Sequence, residues 1–253
     1  MPLSLADALL STALPPAAMG ARLNRIQTEL LARSRNVRDV NFRSIHPDDL
    51  GFLFQAYDRE FFDGVFAAAL GASPLEFRLS RRMTKAGGST LRLRNRLTGQ
   101  TRYEITIATS LLFEGFGPAD RGVTVCGLEC PTRLHALQRI FEHELIHLGE
   151  QLCWDTSSCS GPRFQGIATR RFGHAAHTHA LITRRERAAE AGIHVGSVVT
   201  FAYEGRQLSG RVNRITKRAS VLVPDPEGRL FSDGGRYLTF YVPIGTLTAH
   251  ASA

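Results

Sequence analysis

The stretch "FEHELIHLGE", Phe141 to Glu150, decides how the rest of the chain is read. Two histidines, His143 and His147, stand four residues apart, and Glu144 directly follows the first. On a helix turning about 100° per residue, Leu134, Leu137, Phe141, Leu145, Leu148 and Leu152 form one stripe, and the two histidines lie nearly opposite. The spacing therefore predicts a helix from about Thr132 to Cys153, with one face packing and the other displaying imidazoles. Residues one turn apart can reach a single ion, and Zn²⁺ takes imidazole nitrogens at about 2.0 to 2.1 Å. Glu144 then sits beside the metal rather than on it. Zinc acidifies a water it binds, and an adjacent carboxylate can take that proton and pass it to a leaving amine. The pattern points to metal-assisted amide hydrolysis with Glu144 as the general base.

Upstream, "DDLGFLFQAYDREFFDGVF" has helical spacing at Leu53, Ala56, Tyr57, Phe61 and Phe62, with an Asp as N-cap and a stop near Gly64. Between about residues 74 and 113 the period falls towards two, through "LEFRLS", "STLRLRN" and "RYEITIATSLLF". This predicts a small, mostly antiparallel sheet with a turn at Gly87-Gly88. "EGFGPADRGVTVCGLECPTR" is rich in Gly and Pro and reads as a connecting loop. Downstream of the long helix, "GPRFQGIATRRF" predicts a further helix closing at Gly173. The first residues, broken by Pro15-Pro16, read as a loosely held helical lead-in.

These pieces, in this order, resemble the SprT-like (Spartan-type) family of zinc metallopeptidases over roughly Asp49 to Leu181. "LFQAYDREFFDGVF" resembles the family's opening helix with its Phe-Phe-x-Gly ending, and "SRRMTKAGG" resembles the strand and turn that follow. "YEITIATSLL" is similar to the strand bordering the family's cleft, and "LQRIFEHELIHLGEQL" to its zinc helix. The resemblance implies a zincin-like α+β metallopeptidase domain, a Zn²⁺ cofactor, His143 and His147 as ligands, and a protein or peptide substrate associated with DNA. It also exposes a departure. The family's third ligand is the His of a His-Gly-x-x-Phe pattern, and here "CSGPRF" places Ser160 at that position.

Three repairs stay open. Cys159, one residue earlier, offers a thiolate, which binds zinc at about 2.3 Å. "HAAHTH" supplies His174, His177 and His179, and His179 lies at an offset where some family members carry a Thr-His pair. The third is that no third protein ligand exists and the chain is a catalytically degenerate relative, acting as a binding module. The spacing alone also admits a metal-dependent hydrolase of something other than protein. Cys126, Cys130 and Cys153 read as structural, because Cys130 and Cys153 at opposite ends of one helix would stand about 35 Å apart.

From Gly192 onward the chain alternates like short strands, with turns at Glu204-Gly205, Asp225 to Gly228 and Asp233 to Gly235. This predicts a small SH3-like or Tudor-like β-barrel of about five strands. The predicted organisation is thus a lead-in at 1–44, a metallopeptidase domain at 45–182 and a basic β-barrel at 193–248. Residues 181 to 218 carry eight Lys or Arg against Glu186, Glu190 and Glu204. Arg211, Arg214, Lys217 and Arg218 on or beside one strand, with Phe201, Tyr203, Tyr237, Phe240 and Tyr241 as stacking surfaces, make a candidate DNA or other nucleic-acid interface.

The whole chain agrees in sign: 31 Lys and Arg against 23 Asp and Glu give a formal charge of +8, which favours polyanionic partners. Four cysteines in 253 residues are too few for a disulfide scaffold, so a reducing, cytoplasmic setting is expected. The N-terminus lacks a basic n-region and carries Asp7 inside its apolar stretch, so no secretory signal is read there. No apolar run approaches the length of a membrane span.

Overall fold

A computed structural model describes residues 3–116, 123–180, 188–189, 191–216 and 218–249, the side chains of His179 and Ala180 excepted. The chain is α+β and divides into two compact units, Met1–Leu181 and Ile182–Ala253.

Unit 1 is built around the helix α6, Arg133–Trp154. Thr132 caps its start by accepting from the His135 backbone N–H, and Asp155 ends it in the left-handed region. The first turn is anchored by Arg133, a buried arginine whose guanidinium donates to the carbonyls of Asn41, Phe42, Leu112 and Phe116. The predicted two-faced helix is in fact enclosed. Leu134, Leu137, Phe141, Leu145 and Leu148 are buried, and so are Ala136, Ile140 and Ile146. The histidine face is covered too, with His143 only 5% exposed.

Five further helices pack around it. The lead-in holds α1, Leu5–Leu10, and α2, Pro16–Arg33, and these are core elements: Leu5, Leu9, Ile26 and Leu30 are all buried. Leu9 reaches α6 at Gly149, where a Cβ would come within 2.8 Å of its Cδ1. A glycine inside a helix costs about 1 kcal/mol against alanine, and the close approach of α1 explains its use here. Helix α3, Pro47–Phe62, is capped by His46 in a reciprocal box with Asp49, two residues earlier than the expected Asp48. It is followed by α4, Val65–Leu70, and Tyr57, Phe61, Phe62 and Phe66 join Phe141 and Phe172 in the aromatic core. The fifth neighbour, α7, Pro162–Phe172, ends at Gly173 with φ 68°, as the sequence predicts.

The first sheet holds β1, Leu75–Ser80, β2, Gly88–Arg94, and β3, Thr101–Ala108, in the order β1-β3-β2. It is mixed rather than antiparallel, because β1 pairs with β3 in parallel while β2 pairs with β3 antiparallel. The parallel pair follows from the order: β3 returns between its two predecessors. The strand-like run stops at Ala108, and Thr109–Gly115 forms helix α5. The segment expected to be a loop contains a hairpin, β4, Val123–Val125, and β5, Leu128–Cys130, joined by β6, His179–Ala180. Val123 and Val125 point inward and are buried, which two strand-forming valines around Thr124 could have signalled.

Unit 2 is a five-stranded antiparallel sheet: β7, Val198–Tyr203; β8, Arg206–Ile215; β9, Ala219–Leu230; β10, Arg236–Val242; and β11, Thr248–Ala249. Their order is β10-β9-β8-β7-β11. Among the described residues β10 and β11 are not paired, so the predicted closed barrel is an open sheet with β11, two residues long, as a short edge. The turn at Glu204-Gly205 forms, with φ 49° and 75°. The one expected at Asp225 to Gly228 does not: β9 runs through it, with a register shift opposite Arg236 and Tyr237. Val199, Phe201, Val212, Val221 and Val242 form the core on one face. No described helix in either unit is long and apolar enough to cross a membrane.

Candidate metal centre

The side chains of His143, His147 and Cys159 bring one ligand atom each to within 4.8 Å of one another. The two imidazoles face each other with Nε2 to Nε2 at 3.2 Å. Two nitrogens on one tetrahedral ion at zinc distances would stand about 3.3 Å apart. The donor pair is thus already at ligand spacing. Phe164 from α7 closes over both rings, its centroid 4.8 Å from His143 and 4.6 Å from His147. Burial lowers the pKa of His147, which favours the neutral, ligating form.

A buried carboxylate orients this corner. Ser157 Oγ donates to Glu150 Oε2 at 2.6 Å and lies 2.6 Å from His147 Nδ1. With its hydroxyl hydrogen directed at the carboxylate, Ser157 can accept the Nδ1 hydrogen, which leaves the His147 Nε2 lone pair to a metal. Glu150 also accepts from the Ser158 backbone N–H and, through Oε1, from Arg163 Nε at 2.6 Å. One carboxylate therefore holds both the orienting group of His147 and the loop that carries Cys159. Neither Glu150 nor Ser157 stood out in the sequence. Glu150, three residues beyond His147, was legible only as a charge on an apolar helix.

Glu144 is 2% exposed, and burial pushes its carboxyl up to about 8 against the lowering effect of a hydrogen bond from Thr90. Thr90 Oγ1 lies 2.8 Å from Glu144 Oε2 and 2.9 Å from its backbone carbonyl, fixing the side chain from β2. Gly88, on the same strand, passes so close that a Cβ there would stand 2.7 Å from Glu144 Oε1. The Gly87-Gly88 pair, read as a turn signal, thus includes a contact surface for the carboxylate. β2 is also an edge of its sheet, whereas β3, expected to border the cleft from Glu104 to Thr109, is the central strand.

Other candidates sit elsewhere. Ser160 Oγ pairs with Ser158 Oγ at 3.0 Å, within its own loop. His174 is turned into the core, with Nε2 2.8 Å from Glu142 Oε2. Glu142 is completely buried. Burial would raise its pKa, but Arg139, His174 and a hydrogen bond from Tyr57 at 2.7 Å hold it below the usual carboxylate range. His177 lines a separate cavity of about 310 Å³ with Gln165, Thr169 and His174. The His179 side chain lies outside the described residues; its backbone pairs with Val125. Burial pushes the thiol of Cys130 up to about 11 and raises those of Cys126 and Cys153.

In unit 2 the basic residues divide. Arg211 is paired with Asp233 at 2.6 Å, Arg214 and Arg218 are exposed, and Lys217 lies outside the described residues. Phe201 and Phe240 pack against each other in the core, so they are no stacking surface. Tyr237 rests against Phe231 and donates to Asp233. Tyr203 and Tyr241 are exposed. Arg214 is opposite Ser220, and Ser220 is opposite Tyr241, so a cation and an aromatic share one face across three strands.

Comparisons of the chain with models of known protein families, with curated proteins and with solved structures find no match.

Proposed function

We propose that unit 1 is a zinc-dependent endopeptidase of SprT-like type with a zincin-like fold. The reading is carried by one observation: two imidazole nitrogens at 3.2 Å and a thiol in the same cluster, beside a buried carboxylate on the same helix. A two-histidine, one-cysteine donor set is complete for a catalytic zinc site, which needs three protein ligands and an open position. His143, His147 and Cys159 would hold the ion, and Cys159 takes the role that Ser160 cannot. Zinc in such a site supplies a Lewis acid for a carbonyl and acidifies water.

The protein's own groups do the rest. Glu144, held by Thr90 and raised by burial, accepts a proton and returns it to the leaving amine. Ser157 and Glu150 keep His147 in the tautomer that presents Nε2. β2 is an edge strand, and although Thr90 O already accepts from Gln151 Nε2 at 3.2 Å, its other outward backbone groups would offer an extended peptide a place near Glu144 as an added strand. An association of the substrate with DNA rests on the family resemblance.

The test has two parts. Elemental analysis of the full chain should find about one zinc per chain, lost on Cys159→Ala. Glu144→Gln should keep the zinc and lose about 10²- to 10⁴-fold of its cleavage of an unfolded protein. Undiminished cleavage by that variant would remove the general-base role.

A second reading concerns unit 2, proposed to bind nucleic acid through the face bearing Arg214 and Tyr241. Their alignment across β8, β9 and β10 favours it. Affinity of the full chain for a labelled single strand should fall as salt rises and drop in an Arg214→Ala, Tyr241→Ala double variant. Equal affinity of parent and variant at every salt concentration would discard it.

A further inference from the structure

β4 and β5 are joined by the two-residue turn Cys126-Gly127, with φ 53° and 74°. Both central residues of such a turn need positive φ, and Asn, Asp or Gly normally fills the first place. A cysteine there is disfavoured, and an unfavourable backbone held in place by its surroundings invites a functional explanation. The surroundings do hold it. The Cys126 N–H donates to Thr178 O at 2.9 Å, and the Cys126 carbonyl accepts from the N–H groups of Ala175 and Ala176, each at 3.0 Å. The side chain is fully buried and is aimed at α6.

There the sulfur has two neighbours. Cys126 Sγ lies 3.8 Å from the Arg139 carbonyl and 3.8 Å from His143 Nδ1. A neutral thiol owns one proton and is otherwise a weak acceptor. With that proton directed to Arg139 O, the sulfur meets His143 with a lone pair, so Nδ1 carries the ring hydrogen and Nε2 does not. His147 is in the same state, for the Ser157 hydroxyl donates to Glu150 and accepts from Nδ1. In these tautomers both Nε2 atoms, 3.2 Å apart, would offer lone pairs to one cation.

We propose that Cys126 is a positioning residue of the metal centre, accepting the Nδ1 hydrogen of His143 and thereby presenting Nε2 to the ion. The inference deepens the zinc-site reading and rests on it for the ion, but the thiol contact itself stands on the geometry of β4, β5 and α6. It also gives the two ligands unlike supports: a carboxylate relayed by a hydroxyl behind His147, and an uncharged sulfur behind His143.

The experiment is a zinc competition titration of the full chain against a chromophoric chelator, comparing parent, Cys126→Ala and Cys126→Ser. Loss of an outer partner of a metal-bound histidine lowers affinity about 10- to 100-fold. That loss is expected for Cys126→Ala, with most of it restored in Cys126→Ser, whose hydroxyl can also accept; because serine also refills the space, the position of the ring hydrogen of His143 by ¹H–¹⁵N NMR is what separates acceptance from packing. Cys126→Ala binding zinc as tightly as the parent overturns the proposal and leaves the zinc site intact. Should Cys126→Ala fail to fold, ¹H–¹⁵N NMR of the parent decides: a hydrogen on His143 Nδ1 supports the contact, and one on Nε2 overturns it. A parent that binds no zinc removes the peptidase reading instead, and the same NMR measurement still judges the sulfur contact.

Discussion

The middle of α6 and the sheet of unit 2 treat charge in opposite ways. Around α6, Glu142, Glu144 and Glu150 are all at most 2% exposed, each with named donors around it. In unit 2 the one buried polar residue described is Ser220, and the arginines are on the outside. Burying a carboxylate is expensive unless it is paired and hydrogen-bonded, so three in three turns of one helix need a reason beyond stability. Unit 2 keeps a small apolar core and exposes its ions, which is what a surface for partners requires. The contrast separates a place where chemistry can be organised from a place where contact can be made.

The contrast breaks most visibly at Glu142. Glu142→Ala strands Arg139 and His174 in the core, and breaking a buried ion pair from one side costs about 3 to 5 kcal/mol. Denaturant melts should show that loss; a variant as stable as the parent would mean that the network is not formed in solution. Phe201→Ala, which opens a cavity in the core of unit 2, should cost about 3 kcal/mol and, on the proposed reading of unit 1, leave zinc binding unchanged. Loss of the metal together with that core would contradict the assignment of the site to unit 1 alone.

A smaller effect is expected at Gly88. A methyl group there meets Glu144 Oε1, and overpacking of this kind costs about 1 to 3 kcal/mol. On the proposed peptidase reading, Gly88→Ala should lose cleavage and keep zinc, since the displaced group is the carboxylate and not a proposed ligand; normal turnover would show that Glu144 can be moved without consequence. Least of all, Arg211→Ala should leave the melting midpoint where it was, because its bond to Asp233 is open to solvent. A clear shift would make the surface of unit 2 a structural element.

The elements with a long period were the legible ones. α6 and α3 carry a side-chain N-cap, α7 a Pro in its first turn, α3 and α7 a glycine at or just past the end, and all three an apolar spacing, so their ends agree with the sequence to within a residue or two. What escaped were features made by tertiary contact. The parallel pairing of β1 with β3 depends on strand order, which local alternation does not encode. The β4–β5 hairpin is three residues per strand, too short to show a period. The burial of α1 is decided by Gly149 and Phe66 on distant helices, and nothing near Leu9 announces it. In the site, the histidine pair was visible from its spacing, whereas Thr90, Gly88, Ser157 and Glu150 are brought to it from β2, the loop after α6 and the helix end.

The turn at Cys126 also says something about when the site is finished. Its backbone is completed by Thr178, Ala175 and Ala176, about fifty residues further along the chain. Closing a loop of that length has an entropic cost that local contacts do not offset, so such contacts form late in folding. His143, His147 and Cys159, by contrast, lie within one helix and the loop after it. During synthesis the three ligands of the proposed site therefore leave the ribosome before residues 175–178, which complete the turn that carries Cys126. A metal ion captured at that stage would meet a loosely held imidazole, and the hold would tighten only when β6 joins β4.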